Sequence, residues 1–285
     1  MSDKGVLIPI GGNEDKGPGE SENYTLDFIE DSILSHVVKE AGGSDARIII
    51  IPTASSIPKE VSQNYIDAFT HLGCRNLRVL DIRNRMHSSK RDTIKAIEEA
   101  DCIMFSGGDQ SKIIKFIGGT EMHRLMEHRY LNEKLVIAGT SAGAMAMSRE
   151  MIAGGSSQES LYKGAVIMRN GLGLIPDLII DTHFIHRGRF GRLAEAVAIH
   201  PNLLGIGLAE DTGIIIDAEN HFKVIGSGMV ILFDPSGLTH NSHKALPEGT
   251  PISLGNLVVH ILANSDEFTI NNRNITITPL EAGFI

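Results

Sequence analysis

The sequence predicts an α/β fold: a doubly wound, mostly parallel sheet with helices on both faces and extra antiparallel strands in the C-terminal third. Short apolar runs alternate with stretches of helical periodicity through the first two thirds of the chain. These runs are continuously apolar, which indicates strands buried on both faces, as in a parallel sheet. From about residue 203 closely spaced apolar runs take over, which indicates antiparallel strands.

Five apolar runs predict the parallel strands, and each ends at or just before Gly, Pro, Ser, Thr or Asp. They are VLIPI (6–10), RIIIIP (47–52), LRVL (77–80), CIMF (102–105) and LVIAG (135–139). Residues 26–41 and 60–72 carry apolar side chains at helical spacing. The later runs, such as GIIID and MVILF, predict an antiparallel extension or edge of the same sheet. No linker rich in Pro, Ser or Gly divides the chain, so we expect one domain over residues 1–285.

Composition excludes several classes of protein. The net charge of −9 over 285 residues argues against a nucleic-acid surface, which needs clustered Lys and Arg. No apolar run approaches the roughly eighteen residues needed to cross a bilayer, so we expect no membrane partner. The N-terminus lacks the features of a signal peptide, and we expect a cytoplasmic protein. Two cysteines, Cys74 and Cys102, form neither a disulfide framework nor a zinc pattern.

The stretch AGTSAGAMA (138–146) lies where a predicted strand gives way to a predicted helix. Gly139–Gly143 reads Gly-x-Ser-x-Gly, the pattern of a nucleophile elbow. Small neighbours let the backbone and a substrate approach Ser141 closely. The start of the helix offers a backbone N–H, at Ala142, to a developing oxyanion. The alternative is a glycine-rich turn that serves only close packing.

A second glycine-rich turn, FSGGDQ (105–110), also ends a predicted strand. Its glycines expose backbone N–H groups at the carboxyl edge of the sheet, where α/β proteins bind their ligands. We expect Gly108 to contribute to an oxyanion site and Gln110 to contact substrate. A tight turn without a function is the alternative.

A base and its partner are expected at the ends of later strands. His183 follows the apolar run DLIID, and Glu210 follows GIGLA, so an imidazole and a carboxylate would reach the same edge. His186 creates a His-x-x-His pattern, but no cysteine and no third ligand at a recognisable spacing accompany it, so we expect no metal. Acyl transfer by a serine needs no cofactor, so we expect none. The order Ser, His, Glu differs from that of α/β-hydrolases.

Taken in order, these motifs resemble the cyanophycinase family of serine exopeptidases, which has a glutamine-amidotransferase-like α/β fold. The resemblance covers most of the chain and is carried by IPIGGNEDKG, IIIIPTASS, FSGGDQ, GTSAGA, GLGLIPDLIIDTHF, RGRFGRL and GIGLAEDT. It implies that Ser141 is the nucleophile, His183 the general base and Glu210 its carboxylate partner. It also makes a homodimer the expected assembly.

The resemblance further implies a substrate pocket. The positions that match it are Gln110, Asp181, Thr182, Arg187, Arg189 and Arg192. Arginines beside a serine suit a substrate carboxylate, because guanidinium binds it in a bidentate fork. From the charges alone, a basic turn paired with surface acids is the favoured interpretation. The family usually has Gln where this chain has Thr182, a departure that bears on substrate and rate.

The implied substrate is cyanophycin, a poly-aspartate backbone bearing arginines through isopeptide links, cut into β-aspartyl-arginine dipeptides through an acyl-enzyme. Two alternatives stay open. A related aspartyl dipeptidase, or another hydrolase of β-aspartyl peptides, would share the Ser-His pair; such dipeptidases tend to carry Trp before the serine, where this chain has Thr140 and no Trp anywhere. A non-catalytic homologue that binds an Asp- or Arg-containing ligand is the other alternative.

Overall fold

The computed structural model describes residues 4–14, 32–156 and 160–278. Its strands are β1 Val6–Ile10, β2 Ile48–Ile51, β3 Leu77–Val79, β4 Cys102–Phe105, β5 Val136–Thr140, β6 Glu150–Gly155, β7 Val166–Asn170, β8 Leu178–Asp181, β9 Leu204–Leu208, β10 Thr212–Ile216, β11 His221–Gly226, β12 Val230–Asp234, β13 His240–Asn241, β14 Leu254–Gly255, β15 Val258–Leu262, β16 Glu267–Thr269 and β17 Asn274–Thr276. Its α-helices are α1 Ile33–Glu40, α2 Pro58–His71, α3 Arg91–Glu99, α4 Gln110–Phe116, α5 Glu121–Asn132, α6 Ala142–Met145 and α7 Phe190–Ile199. None of the helices in these ranges is long and apolar enough to cross a membrane.

Five predicted strands and two predicted helices appear at their expected places. The first predicted helix is observed as α1, which begins at Ile33, and the predicted residues 26–31 lie outside the described part of the chain. Ser32 caps α1, because its side chain accepts a hydrogen bond from the backbone N–H of Ser35. The second predicted helix is observed as α2, which has Pro58 in its first turn, where a missing N–H costs nothing.

Among the described residues, nine strands form the larger sheet, in the order β17-β16-β11-β10-β1-β5-β4-β2-β3. The half from β1 to β3 is parallel, as the continuous apolar runs predict. The half from β10 to β17 is antiparallel. The fold is therefore mixed α/β, with the antiparallel strands of the C-terminal third extending one edge of the sheet.

Helices cover both faces of the parallel half. In β2 the side chains of Ile48 and Ile50 pack against α1 and α2. Those of Ile49 and Ile51 point to the other face and share a cluster with α3, α4 and α5. Because successive side chains of a strand point to opposite faces, a strand covered on both sides must be apolar at every position. This is the reason for the unbroken run of isoleucines.

A second sheet, in the order β15-β12-β9-β8, corrects the expectation that all the late strands extend the first one. Leu178 and Ile206 of this sheet belong to the same apolar cluster as the larger sheet. Its other face packs on α7, where Ile179 and Phe233 meet Leu193. The helix α7 connects β8 to the parallel strand β9 and so holds them side by side. Apolar runs reveal strands, but they do not reveal to which sheet a strand belongs.

Candidate active site

Two sheets meet at the candidate active site. Strand β5 of the larger sheet ends at Thr140, directly before Ser141. Strands β8 and β9 of the second sheet end two residues before His183 and Glu210, respectively. The serine is therefore positioned by one sheet, and the imidazole and the carboxylate by the other.

These three side chains form a chain of hydrogen bonds. His183 Nε2 lies 3.0 Å from Ser141 Oγ, and His183 Nδ1 lies 2.7 Å from Glu210 Oε1. Ser141 and His183 line a cavity of about 350 Å³. In this arrangement the imidazole can accept the proton of the serine while the carboxylate fixes the orientation of the ring. The structure thus brings together the three residues that the sequence singles out.

The turn that carries Ser141 has the backbone of a strained elbow. Ser141 has φ 50° and ψ −107°, a conformation that few side-chain-bearing residues adopt. A Cβ on Gly139 would lie 2.7 Å from the carbonyl carbon of Gly143, and a Cβ on Gly143 would lie 2.7 Å from both Cβ and the carbonyl oxygen of Phe105. Only glycines fit at these two positions. The small residues therefore allow the close packing that shapes the turn, and the turn places Ser141 at the cavity.

The two expected oxyanion donors are Ala142, which directly follows the serine, and Gly108, which lines the same cavity as the serine. Ala142 is the first residue of α6, so its N–H has no acceptor within the helix. Because α6 is only four residues long, its helix dipole is small. The N–H of Ala142 is therefore the group that we expect to stabilise an oxyanion. Gly108 lines the cavity with φ 134°, and a Cβ there would lie 2.2 Å from the carbonyl oxygen of Ala54.

His183, the expected base, is fixed through its backbone, and burial is the main cause that lowers its pKa. His183 has φ 48°, and its N–H donates to the carbonyl oxygen of Gly11 at 2.9 Å. A Cβ on Gly12 would lie 2.4 Å from Cε1 of the imidazole, so glycine is required there too. Burial lowers the pKa of His183 below its ordinary value of 6.5 and outweighs the hydrogen bond to Glu210, which raises it. The lowered pKa favours the neutral imidazole, which is the form that can accept a proton.

The surroundings of Glu210 favour its ionised form. Partial burial opposes its ionisation, but hydrogen bonds from His183 and Asn13 together hold the pKa of Glu210 below its ordinary value. His186, whose side chain is 71% exposed, approaches Glu210 Oε1 to 3.6 Å. Within the described ranges, no three His, Cys, Asp or Glu side chains are grouped in a way that could hold a metal ion.

The three arginines of the predicted pocket have different environments. Arg187 lines the cavity. Arg192 is buried, and its Nε donates to Oδ2 of the fully buried Asp181 at 2.9 Å. Arg189 donates from Nη1 to the carbonyl oxygen of Thr182 at 2.6 Å and approaches Asp181 Oδ1 to 3.3 Å. Asp181, rather than the cavity, thus engages two of the three guanidinium groups.

Thr182 and Gln110, the two other residues expected to contact substrate, have side chains that bond to other protein groups. The hydroxyl of Thr182, which is fully buried, lies 3.3 Å from Sδ of Met145. Gln110 begins α4, and its Nε2 donates to the carbonyl oxygen of Ile152 at 2.8 Å. Their expected contact with substrate stays a prediction, since these side chains are not among those that line the cavity described here.

Sequence reasoning missed four polar residues of the cavity wall, namely Asn13, Glu14, Asn64 and Tyr65. A signal was present for the first two, because Asn-Glu follows the glycines at the end of β1. The strand-end argument that finds Ser141 and His183 applies there equally.

Comparisons with known proteins find a peptidase family and several cyanophycinases to which this chain is similar. The profile of peptidase family S51 matches residues 22–224 of the chain. A cyanophycinase from Trichormus variabilis is 37% identical over 272 residues, which are 95% of this chain and 88% of the relative. A cyanophycinase from Geminocystis herdmanii is 36% identical and covers 92% of both chains. One from Synechococcus elongatus is 32% identical over 95% of this chain and 81% of the relative.

Solved structures with low sequence identity share the fold. A peptidase from an acI-B1 Actinobacterium superposes with a TM-score of 0.60 at 19% identity, over 90% of this chain and 97% of the other. A putative peptidase E from Listeria monocytogenes gives a TM-score of 0.51 at 17% identity, over 78% and 98%. The family match over most of the chain, together with relatives at 32–37% identity, identifies the group. The chain belongs to peptidase family S51 and is a serine-type peptidase.

Proposed function

We propose that the protein is a serine exopeptidase that hydrolyses the aspartyl backbone of cyanophycin and releases β-aspartyl-arginine dipeptides. The contact between His183 Nε2 and Ser141 Oγ, 3.0 Å long and within a cavity, is the observation that carries this proposal. The substrate is suggested by the cyanophycinases to which the chain is similar.

The proposed mechanism is acyl transfer through a Ser141–His183–Glu210 triad. His183 accepts the proton of Ser141 as the serine oxygen bonds to a backbone carbonyl carbon of an aspartyl residue. The N–H groups of Gly108 and Ala142 hold the oxyanion. The C–N bond then breaks as His183 donates its proton to the leaving amine. Water, activated by the same imidazole, hydrolyses the ester and restores the serine, while Glu210 stabilises the imidazolium formed in each half-reaction.

Substrate binding is assigned first to Arg187, because its guanidinium borders the cavity and can bind a carboxylate in a bidentate fork. We propose that the other predicted pocket residues act by shaping the loops around it. Asp181, Thr182, Arg189 and Arg192 support the loop that carries Arg187. Gln110 holds the turn of Gly108 against β6.

The direct test is dipeptide release from purified cyanophycin, measured by mass spectrometry beside an α-aspartyl dipeptide and a second β-aspartyl peptide. Release of β-aspartyl-arginine by the parent and none by Ser141→Ala supports the proposal. Turnover of a small aspartyl peptide alone would instead identify a related dipeptidase. Binding without turnover of any of the three would indicate a non-catalytic homologue.

Further expectations about the whole molecule belong to this proposal. We propose a single domain with a doubly wound, glutamine-amidotransferase-like fold; the apolar cluster shared by the two sheets and the helices on both faces of the parallel strands support it. We also propose a homodimer, as the family resemblance implies, and a cytoplasmic location, as the sequence predicts. Light scattering coupled to size-exclusion chromatography tests the assembly.

A further inference from the structure

The loop after β1, residues Gly11–Glu14, contacts the surroundings of all three members of the proposed triad. Just before it, the carbonyl oxygen of Ile10 accepts the N–H of Ser141 at 2.9 Å. Within it, the carbonyl oxygen of Gly11 accepts the N–H of His183 at 2.9 Å. The carbonyl oxygen of Gly12 accepts the N–H of Asp211, the residue directly after Glu210, at 2.9 Å. The side chain of Asn13 also contributes to the lowered pKa of Glu210. One short segment is thus bonded to elements from both sheets.

Glu14, the last described residue of this loop, extends the same pattern to the elbow. It is buried, with 4% of its surface exposed. Its Oε2 accepts a hydrogen bond of 2.5 Å from the hydroxyl of Thr140, the residue directly before Ser141. Its Oε1 accepts one of 2.5 Å from the hydroxyl of Tyr65 on α2. The carboxylate therefore joins the loop, the end of β5 and a helix at the wall of the cavity.

Tyr65 is suited to a permanent donor role. Its side chain is 1% exposed, and burial together with the charge of Glu14 raises its pKa well above 10. The raised pKa favours the protonated hydroxyl, which is the form that donates to Glu14. A hydroxyl donor held by a charged acceptor forms one of the stronger hydrogen bonds in proteins.

We propose that Glu14 is a positioning residue for the peptidase reaction: by holding Thr140 and Tyr65 it fixes the elbow of Ser141 against the loop that also orients His183 and Glu210. This inference rests on the proposed triad. The strained backbone of Ser141 needs such support, because a residue in a sparsely populated conformation persists only where its surroundings determine it. Glu14 acts through Thr140, and its loss misplaces the serine oxygen relative to the imidazole.

The test compares Glu14→Gln with a pair at its partner, Thr140→Val and Thr140→Ser. Glutamine keeps the size of the side chain but removes the charge, valine removes the hydroxyl, and serine restores it. Two rates are measured: kcat and KM on cyanophycin, and the rate at which a phosphonylating reagent labels Ser141. Because a misplacement of about 1 Å can cost a hundredfold in rate, we expect Glu14→Gln and Thr140→Val to lower kcat and labelling ten- to a hundredfold, with KM changed far less. Thr140→Ser should recover most of both rates.

A matched control is Glu195→Gln. Glu195 is also a fully buried carboxylate with two hydrogen bonds, to the N–H groups of Gly164 and Val166, but it lies on α7 outside the cavity wall. It should label and turn over like the parent. Circular dichroism and thermal unfolding verify that each variant is folded, and if Glu14→Gln is not, the Thr140 pair decides.

Three outcomes would overturn the inference: parent-like labelling in Glu14→Gln, equal losses in Glu14→Gln and Glu195→Gln, or a Thr140→Ser protein as slow as Thr140→Val. The labelling arm separates this inference from the proposed function. A parent that labels at Ser141 but releases no dipeptide refutes the substrate and still reports on Glu14. A parent that labels elsewhere, with a normal rate in Ser141→Ala, refutes the triad itself.

Discussion

The two regions that supply the proposed nucleophile and the proposed base are built in opposite ways. The elbow around Ser141 consists of glycines, alanines and a threonine, and its geometry is set by backbone packing against Phe105. The region from Asp181 to Arg192 is a network of charged side chains around a buried carboxylate. The difference teaches that the position of the serine depends on the absence of side-chain volume, whereas the loop that follows the imidazole is held by paired charges. Burial is the main cause that lowers the pKa of His183, and the charges of Arg187 and Arg189 add to it. The two regions should therefore fail in different ways when altered.

The largest losses of activity are expected when Ser141 or His183 is replaced, because the proposed reaction needs both side chains. Ser141→Ala and His183→Ala should each lower kcat/KM for dipeptide release by at least about a thousandfold, because residues of a triad act as a unit. Both proteins should keep the parent circular dichroism spectrum. The double variant should be no slower than either single variant; a further loss would show that the two residues do not act in one step.

The elbow should be broken by volume alone. Gly143→Ala introduces a Cβ 2.7 Å from Phe105 atoms, so we expect a loss of about 1–3 kcal/mol in the free energy of unfolding and a fall in kcat as the serine moves. Gly154→Ala is the matched control, because the nearest atom to its new Cβ is 3.8 Å away. Urea denaturation and dipeptide release measure both. Equal stability and activity of the two variants would show that the elbow can accommodate a Cβ at Gly143.

The charged region should separate binding from stability. Arg187→Lys should raise KM about tenfold, or ~1.4 kcal/mol, because lysine keeps the charge but loses the bidentate fork. Arg192→Lys should change KM less and instead lower the free energy of unfolding by about 1–3 kcal/mol, since Asp181 loses a buried hydrogen bond. Steady-state kinetics and urea denaturation on both proteins test this. A larger KM effect at Arg192 would mean that this guanidinium reaches the substrate directly.

The smallest expected effect is a shift in pH dependence. The charge of Arg187 contributes to the lowered pKa of His183, because a nearby cation disfavours the imidazolium. Activity requires the neutral imidazole, so kcat/KM should rise with pH as His183 loses its proton. Arg187→Gln removes the cation, raises this pKa and should move the acid limb of the profile to higher pH. Arg187→Lys should leave the limb in place, and a downward shift in the glutamine variant would contradict the electrostatic assignment.

Much of the site could be predicted because it depends on strand ends. The carboxyl ends of parallel strands converge at one edge, so Ser141 and the turn of Gly108 could be expected together from the local sequence. The proximity of His183 and Glu210 follows in the same way from β8 and β9. The mostly parallel character expected of the sheet holds for one half only, because hairpin strands and crossover strands are equally apolar when both faces are covered.

Side-chain partners could not be predicted in the same way. Glu14 lies 126 positions from Thr140 and 51 from Tyr65, and no local pattern links a buried carboxylate to donors that far along the chain. The same limit applies to Arg192, whose neighbours in sequence suggest a basic surface while the fold buries it against Asp181. A run of charged residues in the sequence shows only which charges are present. Which of them form ion pairs depends on the fold.

Because the serine belongs to one sheet and the imidazole to the other, the proposed catalytic hydrogen bond crosses the boundary between two structural layers. Neither layer contains a competent site by itself. The rate of hydrolysis therefore depends on the relative position of the two sheets: a shift of about 1 Å between them could lower the rate about a hundredfold while every helix and strand stays intact. We therefore expect heating or mild denaturant to abolish peptidase activity before it reduces the content of secondary structure, because local opening needs less free energy than global unfolding.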